Sequence, residues 1–506
     1  MTSPYFFPYD NRIIAKSGRA HASLRAVRGF LLSPAFMLLP TLVACIFSIL
    51  GEEYTMAGLI INAQLFALAL FVCDDFAAAM MPFLAVMCQG ATLFNSWETI
   101  VPYIIPWGIA PALAFVFHLT VYRKPLRNGI SLYGLVATGA AILLGGLAAP
   151  TLSPFDSAEG AFYYFGLSFG MILLYFLFSS NYKRLKDYDV YEHFLWQMLF
   201  SGIICSLIIL RALFTYAGEF DFVDFRYHAL FRNSLANIMI MGLPAPFYFA
   251  GKKELSLVGQ LLSFALGLLI YLSLCLTTSR TAIVFGTLLF LLCLIYYFRR
   301  GAGKLAKTFN LLVLLAALTV FLFILPRLLH IFEYEKLLEI LKDLPSALTE
   351  LSDHESRISL FFRAGSDFAS HPLFGIGLLS QSNSDLYEVL TGCICWYHLY
   401  FPQIFGSMGL FGAAAYTLHL GLRARLMRFC PDNRSRTVSL TALSLFLYSM
   451  TDPGEFMPIP FGMMATLAFV LLERHMEAQP DSLACYPNLS TKPKKFKKTQ
   501  KTIDKK

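Results

Sequence analysis

Five arginines and one histidine have the side chains and settings to hold an anion and to move a proton. They are Arg226 and Arg232 in EFDFVDFRYHALFRN, Arg280 in LCLTTSRTAIVFG, Arg357 and Arg363 in ESRISLFFRAGSDFAS, and His398 in GCICWYHLYF. A guanidinium is permanently charged, and its planar fork of donors engages phosphate oxygens two at a time. Arg280 stands at the mouth of an apolar run with no acid in its own short loop. A desolvated, unpaired cation is costly, so an anionic ligand accounts for it better than solvation does. For the other arginines an ordinary solvated loop residue stays open as a reading. His398, with Trp396, Tyr397 and Tyr400 around it, fits both an interfacial anchor and a proton-exchanging group.

Spacing separates Arg357 from Arg363. Arg357, Leu360, Phe361, Ala364 and Phe368 recur at three and four, the pattern of one helix face. Arg363 falls about 120° away at roughly 100° per residue. Ser352 or Asp353 followed by Glu355 offers a cap for that helix. Downstream, SHPLFGIG reads as a turn, because Pro372 removes a donor and Gly375 and Gly377 permit tight backbone. Cys393, Cys395 and His398 are a weak metal set, since thiols at i and i+2 come with no second cluster.

The elements that must position these residues are apolar. Of 506 residues, 57% are hydrophobic and 14% charged, with 48 Phe, against about a quarter charged in soluble domains. Apolar runs of about 20 residues, enough to cross roughly 30 Å of hydrocarbon, recur about 14 times, near 31–50, 56–73, 76–94, 100–121, 130–149, 161–180, 194–213, 235–250, 255–276, 281–298, 309–329, 399–420, 437–450 and 460–473. The third, fourth, thirteenth and fourteenth are the shortest or are interrupted by Pro82, Pro102, Pro106, Pro111 or Pro460. The expected fold is all-α: a polytopic integral membrane protein of about 12–14 transmembrane helices with one long extracytoplasmic loop carrying short helices.

Basic segments YRKPLRN, NYKRLK, GKKE, RRGAGKLAK and RARLMRFCPDNRSR alternate with the base-free loops GEEY, NSWET, SPFDSAEG and TDPGE. Cytoplasmic loops keep Lys and Arg, which places both termini in the cytoplasm. One inner loop, at Asp74 and Asp75, carries no base. The organisation is then a cytoplasmic segment 1–29, transmembrane helices over 30–329, an extracytoplasmic loop 330–398, C-terminal transmembrane helices over 399–474 and a basic cytoplasmic tail 475–506. Within the long loop, IFEYEKLLEILKDL has the pattern of a helix lying on a surface. The tail suits either anionic lipid or a solvated end. The candidate arginines fall outside, against the rule. No GxxxxGK[ST] occurs and GIG lacks the third glycine of a nucleotide fingerprint, so neither ATP coupling nor any cofactor or nucleic-acid partner is indicated.

In order, TTSRTA at a span mouth, ESR in the long outer loop, HPLFGIG, and WYHLYFPQIFGSMGLFG entering the next span resemble the O-antigen ligase and polymerase superfamily over about 220–415. These are bacterial membrane glycan transferases of the GT-C type. The resemblance implies an undecaprenyl-diphosphate-linked glycan donor, a glycan or lipid-linked acceptor, contact with membrane lipid and with other polysaccharide assembly proteins, and a site outside the bacterial cytoplasmic membrane. It implies a metal-independent, inverting transfer with Arg280 and Arg357 on the diphosphate and His398 as the loop-end histidine. Leu399 stands where the family has Asn, and RYHALFRNSLAN replaces an upstream Arg-bearing motif, with Ser234 in place of Pro. Arg226, Arg232 and Arg363 are accordingly secondary diphosphate candidates. Polymerase and ligase differ only in acceptor and stay open. Two rivals are a metal-dependent GT-C enzyme using Glu52, Glu53, Asp221 and Asp224, and a transporter or flippase. The second needs ionisable groups inside the membrane, where the spans offer chiefly Asn62, Gln64, Gln89 and Gln260.

Overall fold

The computed structural model describes residues 26–31, 33–90, 97–122, 126–149, 158–180, 189–216, 232–277, 279–300, 303–331, 357–378, 397–428, 430, 432–451 and 454–477. In their described parts, all fourteen apolar runs fall on helices, some of them broken. The helices are α1 (Pro34–Leu50), α2 (Glu52–Val72), α3 (76–90), α4 (Trp97–Val121), α5 (Ile130–Leu147), α6 (158–180), α7 (Val190–Tyr216), α8 (232–250), α9 (Leu257–Leu276), α10 (Arg280–Arg300), α11 (Lys304–Ile331), α13 (Tyr400–Arg428), α14 (Asn433–Ser449) and α15 (Met463–Glu477). Between α11 and α13 lies the fifteenth element, α12 (Arg357–Ser370). No strand occurs among the described residues.

Helices dominate because lipid offers no hydrogen-bond partner to a backbone, so each span must satisfy its own amides. Apolar side chains point outward freely: Val258 is 74% exposed and Phe323 82%. The chain is an integral membrane protein. Six helices are long and apolar enough to cross by length and composition, among the described residues. They bear out the expected all-α, polytopic membrane fold. Several of the other helices are broken or short. A 3-10 turn at Met81–Phe83 interrupts α3, α8 breaks at Leu243 before Pro244, α13 bends at Gly409, and α15 has 15 residues. By contrast α4 runs unbroken through Pro102, Pro106 and Pro111.

At one end of the bundle, basic loops are stitched to acids. Lys252 pairs with Glu192 at 2.6 Å, Arg434 with Asp189, and His475 with Asp432 at 3.5 Å. Arg28 pairs with Asp74, so the N-terminal segment supplies the base that the Asp74 loop lacks. Asp75 is spent on capping, accepting from the Ala78 amide at 3.1 Å.

The helices that carry the site pack closely. α5 lies antiparallel along α13, with Gly134 against His419 and Gly145 against Ser407. A Cβ at Gly145 would stand 2.5 Å from the Ser407 carbonyl oxygen. Small residues at such crossings let backbones approach where no hydrophobic drive exists in lipid.

Candidate active site

The site is built around a break in α13. Gly409, at φ 60 and ψ −153, interrupts the helix, and the two halves fold toward one another. The rings of Tyr400 and Tyr416 lie 6.0 Å apart between centroids, whereas a straight helix would separate such positions by about 24 Å along its axis. A break strands backbone groups, and buried groups must find partners. HPLFGIG supplies them. Ile376 and Gly377 donate to the Gly406 and Ser407 carbonyls, each at 3.0 Å. Leu410 and Phe411 in turn donate to the Pro372 and Leu373 carbonyls at 2.9 and 3.1 Å. The segment read as a simple turn is thus a backbone clasp on a broken helix. Side chains are excluded where it grips: a Cβ at Gly375 (φ 71) would meet Met408 N at 2.3 Å, and one at Gly409 the Pro372 carbonyl oxygen at 2.6 Å.

His398 sits at the foot of this break. It is the one non-glycine residue with positive φ among the described residues, at φ 51, and it is half-buried between fully buried Tyr397 and Tyr400. Non-glycine residues in this region cost about 1–3 kcal/mol and persist only where their surroundings over-determine them. Here the surroundings do. The Tyr397 amide donates to Gln403 Oε1 at 2.9 Å, the Gln403 amide donates to the Leu399 carbonyl at 2.9 Å, and the Tyr400 amide donates to the Met450 carbonyl at 3.3 Å. Gln403 Nε2 donates onward to Ser407 Oγ at 2.9 Å.

α12 docks on the first half of α13 through Phe368 against Phe405, 5.7 Å between centroids, and through Tyr397 Oη, which donates to Asp367 Oδ2 at 2.5 Å. The buried stripe of α12 is Leu360, Ala364 and Asp367. Phe361, expected on that stripe, is 56% exposed, and Arg363, expected off it, is half-buried. The stripe is rotated because a polar contact, Asp367 with Tyr397, sets the docking face. An apolar periodicity does not count an aspartate. Extending the stripe by its own spacing from Arg357 through Leu360 and Ala364 reaches Asp367, which is the signal that could have found it.

For Arg232, Arg280 and Arg357 the structure describes the backbone alone. Arg280 is the first residue of α10, after non-helical Ser279, and Arg232 and Arg357 are the first described residues of α8 and α12. At Arg280 a cation opposes the helix dipole, while an anion is favoured by it and by the unpaired amides of the first turn. In TTSR, Thr277 Oγ1 donates to the Leu274 carbonyl at 2.7 Å and accepts from the Ser279 amide at 3.3 Å, and the Ser279 carbonyl accepts from Ile283 at 3.0 Å. These bonds turn the chain sharply from α9 into α10. α8, α9 and α10 are joined by short connections, 251–256 and 277–279, so α8 and α10 run parallel. A Cβ at Gly286 would lie 3.6 Å from Ile240 Cγ1, which puts Arg232 and Arg280 at the same end. Tyr448 Oη donates to the Asn233 carbonyl at 3.0 Å, and Met450 of the same segment meets Tyr400. The start of α8, the start of α10 and His398 therefore share one end of the bundle, opposite the stitched basic loops. Arg226, Asp221, Asp224, Cys393, Cys395, the 332–344 part of the expected surface helix and the tail beyond 477 lie outside the described residues. Glu52 and Glu53 open α2.

Residues 264–417 match the family model described as O-antigen ligase. Over that stretch the chain is similar to O-antigen ligases. The matched stretch runs from within α9 to the second half of α13 and contains Arg280, Arg357, Arg363 and His398, with both segments of the clasp; Arg226 and Arg232 precede it. No curated protein matches the chain.

Beside the matched stretch, the bundle interior holds more ionisable groups than the spans indicate by sequence. Arg423 pairs with Glu455 at 2.7 Å, and buried Glu473 accepts from the Ser131 amide at 2.8 Å and from Tyr175 Oη at 2.7 Å. Arg474 contacts Glu477 and Ser179. They escaped notice because they sit near helix ends, where a hydropathy window is dominated by its apolar centre.

Proposed function

We propose that this protein is a membrane glycosyltransferase that moves an oligosaccharide from an undecaprenyl-diphosphate carrier to an acceptor glycan, outside the bacterial cytoplasmic membrane. One observation carries the reading: the O-antigen ligase match encloses Arg280, Arg357 and His398, the three residues to which the resemblance gives the diphosphate and loop-end histidine roles. The acceptor hydroxyl oxygen attacks the anomeric carbon. The bond from that carbon to the diphosphate oxygen breaks, its electron pair leaves with the diphosphate, and a single displacement inverts the centre. Arg280 and Arg357 stabilise the charge growing on the leaving group, with Arg232, Arg226 and Arg363 as secondary contacts. His398 accepts the hydroxyl proton or orients the acceptor. The carrier is already activated, so no nucleotide is consumed, and the scheme uses no divalent metal.

The buried charges supply an argument for transport, but they are matched locally: Arg423 with Glu455, Arg474 with Glu477, Glu473 with Tyr175 and Ser131. Charges so satisfied suit bundle cohesion better than a moving ion path.

The test is glycan transfer in proteoliposomes supplied with lipid-diphosphate-linked oligosaccharide. Arg280→Ala and Arg357→Ala are each expected to lose at least about 100-fold in rate, the scale of removing a charge-stabilising donor, while the protein remains folded in detergent. Full activity in either variant would sink the reading. Activity lost on EDTA treatment and restored by a divalent ion would favour the metal-dependent rival instead.

A further inference from the structure

The contact between Asp367 and Tyr397 joins the helix that carries Arg357 to the strained turn that presents His398. Tyr397 is fixed at several points. Its ring lies on Gly406, where a Cβ would stand 2.8 Å from ring atoms; its amide donates to Gln403 Oε1 at 2.9 Å; and its hydroxyl donates to Asp367 Oδ2 at 2.5 Å. Both residues are 0% exposed. Asp367 Oδ1 has no partner among the described residues. A carboxylate is expensive to bury with so little compensation, and an apolar residue at this point of the stripe would dock α12 at lower cost. The contact is directional, however, as an apolar one is not. It fixes the rotation of α12 about its axis and the conformation of the residue immediately before His398.

Resting on the reading above, in which His398 acts on the acceptor hydroxyl and Arg357 on the diphosphate, we infer that Asp367 and Tyr397 are a positioning pair. The pair sets the His398 imidazole relative to the arginine ten residues before Asp367 on α12, about 15 Å along the helix. Neither residue touches substrate. Their effect is geometric: a displacement of about 1 Å at a reacting group can cost 100-fold in rate.

The experiment compares Tyr397→Phe, Asp367→Asn, Asp367→Leu and His398→Ala in the full-length protein in proteoliposomes, reading kcat, the donor KM and the thermal midpoint in detergent. Tyr397→Phe removes one hydroxyl and keeps the ring on Gly406. It is expected to lower kcat by about 10- to 100-fold with the donor KM within about twofold. Asp367→Asn keeps an acceptor oxygen and is expected to retain kcat within about threefold, whereas Asp367→Leu behaves like Tyr397→Phe. Combining Tyr397→Phe with Asp367→Leu is expected to cost no more than either alone, since both remove one shared contact. Should Asp367→Leu fail to fold, Tyr397→Phe and Asp367→Asn still decide the matter. Wild-type kcat in Tyr397→Phe alongside an inactive His398→Ala overturns the positioning pair and leaves the proposed function standing. Equal losses in kcat and folded yield, with no rescue by Asp367→Asn, overturn it in favour of a purely structural contact. Full activity in His398→Ala removes the reading on which the pair rests.

Discussion

Arg423 and Glu455 meet at 2.7 Å with side chains only 10% and 7% exposed, and the guanidinium also lies over the Phe469 ring, 4.5 Å from its centroid. Taking both charges out of water is costly, and their attraction repays that cost only while both are present. Next to Glu455, Phe456 packs on Tyr400 and Tyr416 at 5.7 and 5.5 Å between centroids, so the pair also anchors the segment beneath the start of α13. Glu455→Ala leaves a buried guanidinium without its carboxylate and is expected to cost about 3–5 kcal/mol, seen as a lower thermal midpoint in detergent. Replacing both, as Arg423→Met with Glu455→Met, is expected to recover most of that loss, because two apolar groups need no mutual compensation. A double variant as unstable as Glu455→Ala would show that the ion pair itself holds the segment. Sequence pattern offers no access to this pairing: Glu455 reads as a loop acid and Arg423 as one of a basic cluster, and only the packing of α13 against the 454–456 segment joins them.

At the scale of elements, the break in α13 and the clasp that fills it form one device. Its hydrogen bonds run between 372–377 and 406–411, and its tolerances are set by glycines whose added Cβ would collide with backbone, which cannot move aside as a side chain can. Gly409→Ala combines a positive φ with a contact of 2.6 Å to the Pro372 carbonyl oxygen. It is expected to exceed the ~1–3 kcal/mol of left-handed strain alone and to abolish the folded peak in size-exclusion chromatography. Gly421→Ala, on the same helix with open space around it, is expected to be neutral or to gain up to about 1 kcal/mol through helix propensity. If both variants behave alike, the break is not what constrains Gly409. This device marks where the sequence stopped being readable. Helices were legible because a span needs a long apolar run, and every such run became, in its described part, a helix or a broken one. The breaks were not, since a carbonyl released at Gly406 and an amide at Ile376 find each other across 30 positions and leave no periodic trace. The prolines were an uneven guide: Pro82 and Pro460 fall on breaks, α4 absorbs three, and the bend in α13 occurs at a glycine. Of the site, His398, Arg232, Arg280 and Arg357 were visible by residue type, but Asp367 was hidden on a stripe defined by apolar residues.

For the whole molecule, the question is which end faces which compartment. Arg28, Lys252, Arg434 and His475 converge on one end and are tied there to Asp74, Glu192, Asp189 and Asp432. The pairs local to that end knit it together, while the excess of Lys and Arg in its loops resists translocation. Arg232, Arg280 and His398 lie at the other end, where a water-soluble acceptor glycan and a lipid-embedded carrier both have access if that end is extracytoplasmic. The assignment is checkable with two exposed positions, Lys253 in the connection after α8 and Ser366 on α12. In a background with the ten native cysteines replaced by serine or alanine, Ser366→Cys is expected to react with a membrane-impermeant maleimide applied to intact spheroplasts. Lys253→Cys is expected to react only after the membrane is opened with detergent. Labelling in the reverse order would place His398 on the cytoplasmic side, away from any acceptor at the cell surface, and would remove the proposed glycan transfer together with its orientation.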